Sequence, residues 1–124
     1  MDSISAAAQA EFFRSKILEI SNDIIVLENG PVPVEDVRIV PAETFFGMSY
    51  GTSMLLDDGK VVLRITIKRP LAEVADTILH ETAHVLLGRE HIDQPDHGPA
   101  FQGVYERLKL KYLAAVTKRL ERLA

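Results

Sequence analysis

Residues 71–88 read LAEVADTILHETAHVLLG, and the polar groups set inside this apolar run decide what the chain can be. Val74, Ile78, Val85 and Leu86 recur at helical spacing, Pro70 closes off what comes before, and Gly88 is suited to end a helix. The run therefore predicts a helix from Leu71 to Leu87. His80 and His84 stand at i and i+4, so both imidazoles leave one helical face a turn apart and can converge on one ion. Glu81 projects beside such an ion rather than onto it. With four His and ten Glu in 124 residues, random order would produce this five-residue pattern only about once in a hundred chains. All four histidines fall between positions 80 and 97, which argues against a glutamate standing between two unrelated imidazoles.

A catalytic zinc takes three protein ligands and keeps a fourth position for water, and imidazole suits it. The chain has no cysteine, so any metal must be held by His, carboxylate and water. Three residues compete for the third position. His91 would suit a metzincin-like site, but that pattern places Gly three and His six residues after the second ligand. Here Gly88 and His91 stand four and seven after it. The additional residue rotates the helix exit by about 100° and aims His91 away from the ion unless the helix ends early. Glu106 would complete a gluzincin-like set of two His and one Glu, although a surface pair with Arg107 or Lys109 accounts for it as well. His97 opens the run Asp96-His97-Gly98-Pro99-Ala100-Phe101, where a helix begins after a turn and side chains project back toward the preceding element. It is the preferred third ligand, with His91 and Glu106 still open.

Working outward, Pro99 is placed as a helix N1 residue. Phe101, Val104, Leu108, Tyr112, Leu113, Val116 and Leu120 then mark a long amphipathic helix to near the C-terminus. Upstream of the histidine helix, Val61 to Lys68 reads as a strand, Asp57-Asp58-Gly59-Lys60 as a turn, and Tyr50 to Leu56 as a second strand. Asp36 to Val40 alternates as a further strand, stopped by Pro41. The three are expected to form a small antiparallel meander, with Gly47 and Gly51 in a plain loop or bend. From Ser5 to Ile20, Ala8, Phe12, Phe13, Ile17 and Ile20 predict a first helix. Ser21-Asn22-Asp23 is expected to end it, leaving Ile24 to Leu27 extended.

At 124 residues and 47% hydrophobic content, the chain suits one domain, residues 1–124, with its own core. Net charge −4 argues against a general nucleic-acid binder. From Tyr105 onward, six basic residues (Arg107, Lys109, Lys111, Lys118, Arg119, Arg122) face two acidic ones. A solvated helix face is the plain explanation, and weak DNA association the alternative. No signal-peptide pattern or membrane-length apolar run is present, so a soluble, cytoplasmic protein without membrane contact is expected.

Ile78-Leu79-His80-Glu81, His84-Val85 and the later His97-Gly98-Pro99-Ala100-Phe101 together resemble the SprT-like zinc metalloproteases, the group that includes the Spartan proteases. The position of the strand Val61 to Ile67 just before the helix is similar too. The resemblance implies a zincin-like α+β catalytic domain in which a three-stranded antiparallel sheet packs on the histidine helix between N- and C-terminal helices. It implies Zn2+ held by His80, His84 and His97, with Glu81 as general base on zinc-bound water. The implied activity is hydrolysis of peptide bonds in protein or peptide substrates. The strand Val61 to Ile67 is expected to offer a free edge to an extended peptide. Asp76, Glu90, Asp93 and Asp96 are candidates to orient the imidazoles, and Tyr50, Tyr105, Tyr112 and His91 to assist at the substrate oxygen. Two rival readings are a non-proteolytic zinc-binding regulatory module and a metal-dependent nucleic-acid hydrolase using His91.

Overall fold

The computed structural model describes residues 6–46, 49–92 and 97–123. Three helices and three strands form in the order α1 (Ala6–Leu27), β1 (Asp36–Ile39), β2 (Gly51–Leu55), β3 (Val61–Ile65), α2 (Leu71–Leu86) and α3 (Pro99–Glu121). Short 3-10 turns at Ala42–Phe45 and Arg89–His91 lie between them. The inner face of the sheet, including Val37, Val61, Leu63 and Ile65, is buried in a core shared with α1 and α2. Helix α1 lies against β1, α2 against β2 and β3, and α3 packs along α2. Among the described residues no helix is long and apolar enough to cross a membrane.

The sheet is mixed, not the expected antiparallel meander. Its order is β1-β3-β2: β2 pairs antiparallel with β3, whereas β1 pairs parallel with it. The β2–β3 hairpin closes where Asp57 to Lys60 predicts a turn, with Gly59 at φ 87° and its N–H bonded to the Leu56 carbonyl. The connection from Ile39 to Gly51 is long enough to carry the chain past β3, so β1 joins its far side. The central position matches Val61-Val62-Leu63-Arg64-Ile65, a nearly continuous apolar run in which four of five residues are buried. Strand β3 therefore has a neighbour on each side and no free edge. The strand at the edge beside α2 is β2.

Helix α1 also runs past Ser21-Asn22-Asp23 to Leu27 instead of stopping at Ile20. Each polar side chain in that trio has a partner outside the helix, so none competes for the helix backbone. The Ser21 and Thr82 hydroxyls are hydrogen-bonded at 2.8 Å in the core, joining α1 to α2. The Asn22 amide both donates to the Val34 carbonyl and accepts from its N–H, each at 2.8 Å, and Asp23 pairs with Arg119. The helix ends where Asn29 takes φ 55°, a left-handed conformation that Asn tolerates. Phe13, Ile17 and Ile20 are buried as expected, whereas Phe12 is exposed. Ser5, Gly47, Met48, Asp93, Pro95 and Asp96 lie outside the described residues.

Just beyond α1, the Glu28 side chain is 5% exposed and accepts from Lys111, Tyr112 and Arg107 of α3. Lys111, then Tyr112 and Arg107, hold its carboxyl well below the usual 4.5, at about 2. The folded state thus binds this proton less readily than the unfolded chain. The contribution to stability is complete above about pH 5 and disappears as pH falls from 4.5 toward 2. The shift corresponds to about 3 kcal/mol at most, and half-exposed Lys111 and Arg107 reduce it to about 1–2 kcal/mol. Glu28→Gln is expected to lose that amount in urea unfolding at pH 7. Its difference from wild type should shrink to nothing near pH 2.

Candidate metal centre

Helix α2 presents polar groups on three sides. Thr82 points to α1, where it meets Ser21. Glu81 lies toward β2, and His80 and His84 lie toward α3. Its C-terminus is set by the Leu87 N–H on the Ala83 carbonyl and by Gly88 at φ 106°, a value that favours glycine. The chain then returns so that Gly98 caps α3 with Pro99 in its first turn, as the sequence predicts. The return brings His97 to the two helical histidines.

One ligand atom from each of His80, His84 and His97 lies within 4.8 Å of the others. His84 Nε2 and His97 Nε2 are 3.2 Å apart. Two nitrogens bound tetrahedrally to zinc at about 2.05 Å lie about 3.3 Å from each other, so the observed separation is compatible with a shared cation. His80 Nδ1 meets Glu81 Oε2 at 2.9 Å. A carboxylate only accepts, so Nδ1 carries the proton and Nε2 keeps its lone pair for a metal. Burial, and then the neighbouring His80 and His97, lower the pKa of His84, with Glu81 acting in the opposite sense. The neutral, metal-ligating form is favoured. Three imidazoles whose ligand atoms lie this close together could hold a zinc ion or a similar divalent cation.

The other two candidates stand elsewhere. His91 is exposed and 3.9 Å from Glu90, and Glu106 is 60% exposed and paired with Lys109. The support of the site also differs from expectation. Asp76 accepts from the Tyr105 hydroxyl rather than from a ligand imidazole. The Tyr105 ring packs edge-on against His80 at 5.1 Å. Burial, then Asp76, raises the pKa of Tyr105 and keeps its phenol protonated. The His91 backbone acts on the pKa of His84 in the raising sense, and the His91 ring stands away from the three ligands, near Glu90. Tyr112 serves Glu28, while Tyr50 lies under the Arg69 guanidinium, 3.1 Å from its ring centre.

Phe101 is the residue beneath all three ligands. Its ring stacks on His84 at 4.2 Å and 28°, and lies 4.8 Å from His97 and 4.9 Å from His80. It is buried, so it dries the inner side of the site and fixes the imidazole planes. On the other side a cleft of about 310 Å³ is lined by His80, Glu81, His84, His97 and residues of β2. A second hollow of about 180 Å³ shares Gly51, His80 and Glu81 as a wall and extends to Asp76, Thr77 and Tyr105. Gly51 allows this construction. A Cβ there would stand 2.6 Å from Thr77 Cγ2 and 3.2 Å from the Arg64 carbonyl oxygen, so any larger residue would push β2 away from α2. Its role is close packing, which the reading of Gly51 as a plain loop glycine did not anticipate.

Zinc should raise the melting temperature of the chelator-treated protein, since a ligand at a hundredfold its Kd stabilises by about 2.7 kcal/mol. His80→Ala, His84→Ala and His97→Ala should each abolish that rise in differential scanning fluorimetry. His91→Ala and Glu106→Gln should retain it. A scan against protein-family models and searches of curated proteins and of solved structures return no match for this chain.

Proposed function

We infer that the chain is a zinc-dependent metallopeptidase that hydrolyses peptide bonds of protein substrates. The observation that carries this reading is the convergence of His80, His84 and His97 with Glu81 on one wall of a cleft bordered by a strand edge. Bound zinc supplies Lewis acidity that polarises a carbonyl and makes water more acidic. The side chain of Glu81 is 6% exposed, and one of its oxygens is held by His80. The other has no protein partner among the described residues and is available to water in the cleft. In that position Glu81 takes the proton of the attacking water and returns it to the leaving nitrogen. The Tyr105 hydroxyl is committed to Asp76, so its part is to pack against His80 rather than to donate to the substrate.

An extended peptide lies along β2, whose outer backbone edge runs beside the site. Main-chain pairing with that edge accounts for binding with little demand on side chains. The two hollows meeting at Glu81 provide room for substrate on both sides of the bond to be broken, as an endopeptidase needs. The resemblance of the two histidine motifs to the SprT-like proteases supports the same activity.

The rival readings have less behind them. A structural zinc site is closed by protein, whereas His97 is exposed and the ligands border a cleft. A nucleic-acid hydrolase would need the cationic charge of α3 turned outward and His91 at the ion. Instead, four of the six basic side chains after Tyr105 pair with carboxylates: Arg107 and Lys111 with Glu28, Lys109 with Glu106, and Arg119 with Glu19 and Asp23.

Glu81→Gln is expected to reduce kcat on an unfolded protein substrate by about 10²–10⁴-fold, the usual range for loss of a general base. It should leave zinc stoichiometry at one per chain. Retention of full activity by this variant in a protease-free preparation would overturn the mechanism.

A further inference from the structure

We propose that Arg64 is the specificity-determining residue of this cleft, binding a carboxylate of the peptide that lies along β2. The proposal rests on the peptidase reading for the orientation of the peptide and on separate observations for the residue. Arg64 is half-buried on the central strand, directly beside Thr52 of β2 in the sheet register. Its Nε donates to Thr52 Oγ1 at 3.1 Å, which draws the guanidinium across β2. The same group lies 5.4 Å from the centre of the Phe45 ring. Held at these two points, it lines the same cleft as His84 and His97.

The terminal Nη donors of Arg64 have no carboxylate partner among the described residues. In a chain with 18 acidic residues against 14 Lys and Arg, such a guanidinium is conspicuous. The cationic residue beside it is placed against local preference. Arg38 of β1 is in register with Arg64, so two like charges stand side by side on one sheet face. That arrangement is unfavourable within a sheet. Local conflict of this kind is expected where function sets the residue type. Among the described residues the carboxylate paired with Arg38 is Asp36, at 4.0 Å, and it is also claimed by Arg14. Arg64 therefore has the features of a preorganised anion receptor: an anchored Nε, a ring contact and terminal donors that have no carboxylate partner among the described residues and suit bidentate carboxylate binding. The carboxylate can be an acidic side chain or the C-terminus of the peptide.

Fluorescence anisotropy on the full chain carrying Glu81→Gln and loaded with zinc separates the two sources. Three labelled peptides of equal length serve as probes: one with internal Glu and an amidated end, one neutral with a free C-terminal carboxylate, and one neutral and amidated. One carboxylate-bearing peptide should bind about tenfold or more tightly than the neutral amidated one, the size of a charge-assisted hydrogen bond. Which of them does so identifies the source. Adding Arg64→Gln should bring the ratio to within about twofold of unity. Arg64→Lys should fall between, because it keeps charge without the fork. Equal affinities for all three peptides, no binding of any of them, or discrimination that survives Arg64→Gln would overturn the proposal. The peptide comparison uses protein with Arg64 intact, so it stands even if the variants fold poorly. Carboxylate discrimination without cleavage of any of these peptides by the wild-type protein would support Arg64 and overturn the peptidase reading instead.

Discussion

A helix buried around most of its circumference must find a partner for every polar side chain it carries, and α2 is under that constraint along the whole His80 to His84 turn. The Thr82 hydroxyl has Ser21, the Glu81 carboxylate has His80, and His84 has His97. Each of these contacts pins a different part of the molecule to α2. Ser21 keeps α1 helical through a polar stretch, His97 ties the entry of α3 to α2, and Gly51 lets β2 come close enough to face Glu81. The polar groups that would disfavour burial of this helix are the same ones that define the site.

Phe101 joins the chemistry to the packing. It belongs to the apolar core and also touches all three imidazoles. The site is thus built on two helices, where side-chain positions are more firmly held than on loops. Only His97 comes from a helix entry, and the Pro99 turn after it limits how that residue can move.

Charge is distributed to the same end. The basic residues of α3, read in isolation, suggest a surface for polyanions. Folded, most of them tie α3 to the C-terminal part of α1 and the residues just after it, through Glu28, Glu19 and Asp23. Arg64, which looks in the sequence like one polar position in an apolar strand, is hydrogen-bonded to Thr52, lines the cleft, and has no carboxylate partner among the described residues.

The sequence by itself determined the α2 helix, the convergence of two imidazoles with Glu81 beside them, the β2–β3 turn and the start of α3 at Pro99. These follow from residues a few positions apart, where helical period, glycine and proline geometry act directly. That His97, rather than His91 or Glu106, would stand beside His80 and His84 was also legible, from the helix entry that carries it. Only the tertiary structure decided the strand order, and with it which strand has a free edge. Alternation shows which face of a strand is apolar but not which strand lies alongside. Likewise, Ser21-Asn22-Asp23 reads as a helix stop because its partners Thr82, Val34 and Arg119 are distant in sequence. The close approach at Gly51 and the contact of Arg64 with Thr52 belong to the same class. Both depend on what the fold places next to a residue, and no local pattern carries that information.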